Sequence, residues 1–177
     1  MPQQTILDRQ AFGNPGDFFT NSPRRALGYI LESADPTNNV FGRVFSHVDG
    51  KEGSVIAGLA GANIRFAGYL VNNKEHLLEG TLAGVLESRN YLRNGVSASI
   101  CSMGEIYVKV SNVSKIGDIV IYAEADGALS TIAPGVAVPA GSQFGNAVVT
   151  RFDPVQQDPI DSLYLAAITI TDTPLRP

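Results

Sequence analysis

The sequence contains no tryptophan, a single cysteine and only two histidines. With Cys101 alone, no intrachain disulfide can form, which suits synthesis in a cytoplasm. A zinc site takes three or four closely set Cys or His ligands. Cys101, His47 and His76 are too few and too scattered for that, so no metal is expected. Apolar runs are short as well. None approaches the roughly 20 residues needed to cross a bilayer, and the polar start Met1-Pro2-Gln3-Gln4 does not resemble an export signal. No membrane partner is expected. Charged residues make up 17% of the chain, against roughly 25% in an average soluble domain. A surface short of charge leaves more area free to sit against other proteins. The net charge of −4 argues against a nucleic-acid partner, which calls for a basic face.

The motifs of enzymes are missing too. There is no P-loop, no G-x-S-x-G nucleophile elbow, and Gly58-Leu-Ala-Gly-Ala-Asn63 lacks the spacing of a dinucleotide fingerprint. No cofactor is expected. Cys101 is expected as a small buried hydrophobe rather than a nucleophile. Ser102-Met103 followed by Gly117-Asp118 faintly resembles the self-cleaving Ser–Lys peptidases of the repressor family. Those need a lysine on a later strand as general base, and no lysine follows Lys115. The chain is therefore not expected to be an enzyme.

What is present is β-strand pattern. The 18 Gly and 10 Pro are spread as turn punctuation. Short apolar stretches stand between them: 26–31, 40–45, 54–57 and 64–71. In Glu105–Val110, Ile106, Val108 and Val110 alternate with Tyr107 and Lys109, the period of a half-buried strand. Asp118–Ala123 predicts another strand, and Asp126-Gly127 a tight turn sending Ala128–Ile132 back as a hairpin. Phe144–Phe152 and Leu163–Thr171 predict two more, with Gly145 and Asn146 leaving room for a bulge. Between 72 and 90, Glu75–Glu79 suits one helical turn at most, because Gly80 and Gly84 interrupt it. The fold class is all-β, a small barrel or sandwich (β-tulip or jelly-roll-like) with an extended N-terminal arm. The division is an arm over 1–23, a β domain over 24–172 with sub-lobes 24–100 and 101–172, and a tail over 173–177.

Charge is uneven along the chain. Residues 116–177 hold only Arg151 and Arg176 against seven acids, whereas residues 1–115 hold 11 basic and 10 acidic residues. The N-terminal segment sets Phe12, Phe18 and Phe19 among Gly and Pro without periodicity.

Five stretches in order resemble the phage structural cement (head-decoration) proteins. They are Gly16-Asp-Phe-Phe19 with Ser22-Pro-Arg-Arg25; Asn38–Phe45 around Gly42-Arg43; Phe66–Val71 with Lys74 and Glu75; Met103-Gly104 leading into Glu105–Val110; and Gly117–Tyr122 with Asp126-Gly127 and Gly141–Val149. The resemblance implies a virion protein, made in the host cytoplasm, that binds the outer capsid surface. It implies the major capsid protein as partner and a homo-oligomer, with a trimer favoured over a dimer. The expected contacts are Phe12, Phe18 and Phe19 as anchors, and Arg24 and Arg25 as partners for acidic capsid residues, since aromatics and Arg dominate interface energetics. A different reading is a receptor- or glycan-binding β module of a phage tail or fibre, which the absence of tryptophan and of repetitive shaft sequence disfavours.

Overall fold

The computed structural model describes residues 13–47, 49–58, 65–72, 91–157 and 161–171. The turn expected within 75–79 and the tail 173–177 lie outside them. Among the described residues nine strands form: β1 (Arg25–Leu31), β2 (Val44–His47), β3 (Ser54–Ala57), β4 (Phe66–Leu70), β5 (Ser97–Val110), β6 (Ile119–Ala123), β7 (Leu129–Ile132), β8 (Ser142–Gln157) and β9 (Tyr164–Ile170). Among the described residues the one helical element is the 3-10 turn Pro36–Asn38. The fold is all-β.

The strands close into two five-membered rings that share β5. One runs β1-β3-β2-β4-β5 and back to β1. The other runs β5-β7-β6-β8-β9 and back to β5. The first half of β5 pairs antiparallel with β1, from Ala26 against Cys101 to Ile30 against Ser97. The second half pairs antiparallel with β9, from Gly104 against Ile170 to Val110 against Tyr164.

Alternation along β2, β4 and β5 explains why two cores coexist. Phe45, Leu70 and Ile100 point into one core with Leu31 and Val55. Their chain neighbours Val44, Tyr69 and Cys101 point into the other, with Ile106, Val108, Val120, Val149 and Ile168. These strands form a wall apolar on both faces, so Phe66–Val71 is a continuous apolar run rather than an alternating one. The hairpin β6–β7 has the expected register, Ile119 opposite Ile132 and Tyr122 opposite Leu129. Between the pairs Ile119–Val148 and Ile121–Phe144, β8 runs four residues where β6 runs two. The extra length is the bulge at Gly145 and Asn146, where Asn146 takes φ 50°.

Candidate interaction surface

Residues 13–19 lie along the second half of β5. The Gly16 amide donates to the Tyr107 carbonyl at 2.7 Å, the Tyr107 amide to the Asp17 carbonyl at 2.9 Å, and the Phe19 amide to the Glu105 carbonyl at 2.9 Å. Phe18 stands opposite Ile106. The segment supplies partners for backbone groups that the barrel leaves open on this stretch of β5. It also covers Tyr107, which is buried rather than turned to solvent as simple alternation suggests.

The following turn is pinned. The Thr20 hydroxyl donates to the Glu105 carboxylate at 2.7 Å, and Thr20 and Ser22 share a hydrogen bond. Thr169 on β9 bonds the other Glu105 oxygen at 3.4 Å. One carboxylate thus fastens residues 20–22 to the second barrel.

On this base sit aromatic rings and guanidinium groups. Phe18 is half-buried against the second core, and the Arg24 guanidinium lies 4.2 Å from its ring centroid. Phe19 meets Tyr107 edge-on, with centroids 5.3 Å apart and planes at 75°. The guanidinium of Arg151, from β8, stands 5.8 Å from the Phe19 ring. Such cation–aromatic pairs contribute about 0.5–1 kcal/mol at exposed sites and hold a flexible cation in place. Arg25 is exposed, and its Nε donates to the Ser102 hydroxyl at 2.9 Å.

Of the five expected contact residues, the structure joins Phe18 to Arg24, sets Phe19 beside them in sequence, and ties Arg25 to β5. Phe12 lies outside the described residues. Arg151 was not among the expected residues. Its signal in the sequence was its isolation, since Arg176 is the only other cation after residue 115. The result is two ring–guanidinium pairs, Phe18 with Arg24 and Phe19 with Arg151, joined through consecutive residues of one segment, with Arg25 next to Arg24 in sequence. Its chemistry suits carboxylate-bearing protein surfaces, because a guanidinium offers a fork of donors to a carboxylate and the rings add apolar contact.

Cys101 and His47 both sit in packing contacts. Cys101 is buried, its thiol bonds the Met103 carbonyl at 3.1 Å, and burial pushes its pKa up. His47 packs edge-on against Tyr29 with centroids 5.2 Å apart. His76 lies outside the described residues. Among the described residues no group of three or more His, Cys, Asp or Glu side chains is placed to hold a metal ion.

Comparison with known proteins adds three findings. The family described as "Structural cement protein (E217 gp24/Pam3 gp6)" matches residues 2–158. A chain in the solved structure "The capsid of Myoviridae Phage XM1" superposes with a TM-score of 0.53 at 14% identity, over 93% of this chain and 94% of that one. That likeness is one of fold. No curated protein matches the sequence.

Proposed function

The chain belongs to the family of phage structural cement proteins, and we propose that it seats on the outer face of an assembled shell, where it bridges neighbouring copies of the major capsid protein. Its role is structural and associated with the capsid. Packaged DNA presses outward, and the joints between shell subunits resist that load. A protein that binds the assembled joint but not the free subunits stabilises the assembly by linkage. Repetition over many equivalent joints makes modest contacts strong together.

The observations that support a specific grip are the two ring–guanidinium pairs, Phe18 with Arg24 and Phe19 with Arg151, with Arg25 next in sequence to Arg24. Phe12 leads toward the same segment in sequence. The rings supply apolar anchors, and the arginines pair with acidic residues of the capsid subunit. Copies also associate with one another.

The test is co-sedimentation with matching expanded shells. Wild-type protein binds saturably, and the double variant Arg24→Glu/Arg151→Glu binds at least about tenfold more weakly, a loss of about 1.4 kcal/mol. Absence of wild-type binding to the shells overturns the reading. Equal binding by the variant moves the grip away from these pairs.

A further inference from the structure

Consecutive residues of an extended chain point to opposite faces. Phe18, opposite Ile106 on β5, packs against the second core. Phe19 therefore points the other way, and its ring meets Tyr107. The sheet beside it has the same two faces. Ile106, Val149 and Ile168 belong to the core face. Tyr107 stands opposite Ala167 on β9, and Ala167 opposite Arg151 on β8, so these three form one row on the outer face. Phe19 and Arg151 reach toward each other along that row, with 5.8 Å between guanidinium and ring. Ala167, in its middle, is fully buried although it faces outward. In the next row Glu105 stands opposite Thr169, and the Glu105 carboxylate bonds both Thr169 and Thr20.

The Phe18–Arg24 pair lies on the other side. Alternation along β5 puts Gly104 on the same face as Ile106. A Cβ at Gly104 would stand 3.1 Å from the Arg24 Cβ and 3.5 Å from the Cys101 sulfur. Arg24, though exposed, thus covers the Phe18 ring at the edge of the second core. Its charge is felt there: burial raises the Cys101 thiol pKa, and the Met103 carbonyl and Arg24 lower it in part. The two ring–guanidinium pairs face in different directions.

We propose that the outer face of this sheet, with Arg151 at its centre and Phe19 and Tyr107 beside it, is the surface that seats on an acidic stretch of the capsid subunit, and that Arg24 acts by positioning the segment that carries Phe19. The proposal rests on the capsid-binding reading and narrows it to one face. Arg151 is the sole cation among residues 116–175, against seven acids. A carboxylate of the partner is drawn to one point of this half of the chain and repelled around it, which fixes register as well as affinity. The rings supply apolar contact next to that point. The sheet beneath is paired across β5, β9 and β8, so the three side chains are held in place before binding. Arg24 holds Phe18, and through it the position of Phe19.

The experiment uses the full chain and matching expanded shells. Arg151→Gln binds at least about tenfold more weakly than wild type, and the binding that remains loses most of its salt dependence. Arg151→Lys keeps the charge but not the planar fork. It retains the salt dependence, with an affinity between those of wild type and Arg151→Gln. Both unfold at the wild-type denaturant midpoint and label slowly at Cys101. Arg24→Gln unfolds at lower denaturant and labels at Cys101 faster, and its weakened binding keeps the salt dependence of wild type. Arg151→Gln binding as tightly as wild type overturns the proposal. So does Arg24→Gln flattening the salt dependence as Arg151→Gln does, or an Arg24→Gln protein as stable and as slow to label as wild type. In each of these cases wild-type binding to the shells leaves the cement function standing. Absence of wild-type binding overturns that reading, and this surface with it.

Discussion

The hydroxyl of Tyr69 on β4 donates to the carbonyl of Gly145 on β8 at 2.7 Å, inside the second core. The bond joins the wall shared by the two cores to the bulge on the far side of the second barrel. Glycine at 145 is required by the approach itself, because a Cβ there would lie 2.5 Å from the Tyr69 oxygen. Burial holds the Tyr69 phenol well above its ordinary pKa of 10.0, with smaller contributions from Tyr122 and Cys101.

Tyr69→Phe leaves the Gly145 carbonyl buried without its partner. Denaturant titration at neutral pH is expected to show a loss of about 1–3 kcal/mol. The pH dependence has a defined sign. The folded pKa is raised, so the contribution is fully present below pH 10 and is lost as pH rises above the unfolded value toward the folded one. Alkaline destabilisation above pH 10 is therefore shallower in Tyr69→Phe than in wild type. Tyr122, also raised by burial, keeps its own share. Parallel curves for the two proteins would contradict the assignment.

A second expectation concerns Gly127, in the turn between β6 and β7. It has φ 71°, its carbonyl accepts from the Val44 amide at 3.2 Å, and a Cβ there would strike the Val44 carbonyl. Beside it, the Arg43 guanidinium bonds the Asp126 carbonyl at 3.2 Å and stands 3.5 Å from its carboxylate. Gly127→Ala combines a left-handed backbone with a clash against β2, and is expected to cost roughly 2–4 kcal/mol. Gly141 has φ 77° but open space around it. Gly141→Ala is expected to cost only about 1–2 kcal/mol, the price of the backbone conformation alone.

The same contrast shows what was legible in the sequence. The turn at Asp126-Gly127 and the hairpin β6–β7 were legible because they are local: a tight-turn signal between two β-prone runs fixes them. The second half of β5 followed from period-2 alternation in Glu105–Val110 for the same reason. The docking of that turn against Val44 was not legible, since it joins residues more than 80 positions apart. Nor was the extent of β5. Its first half, Ser97–Cys101, is rich in Ser and Ala and is held by pairing with β1 and β4 rather than by its own pattern. The closeness of Phe18, Phe19, Arg24 and Arg25 was legible because it is local in the sequence. The contacts of Phe19 with Tyr107 and Arg151 were not, since they depend on tertiary pairing of residues 13–19 with β5.

Cys101 is expected to be inert in the folded protein. It is buried, and its thiol pKa is raised first by desolvation. A thiol-reactive chromophore should label it only on the timescale of unfolding, with full labelling in denaturant. Rapid labelling of native protein would place the thiol outside the core.

Binding through arginine patches is sensitive to salt. Raising ionic strength from about 0.1 to 1 M shortens the Debye length from about 10 to 3 Å. Shell binding by wild-type protein is expected to weaken over that range, and that of Arg24→Glu/Arg151→Glu to change less. Salt-independent sedimentation of the wild type would assign the grip to apolar contacts alone.

The most direct test of the cement function is the heat resistance of DNA-filled heads. Heads lacking this protein are supplied with increasing amounts of it, and the temperature at which DNA is released is recorded. The account predicts that this temperature rises and saturates as the shell sites fill. Binding that saturates while the release temperature stays unchanged would contradict it.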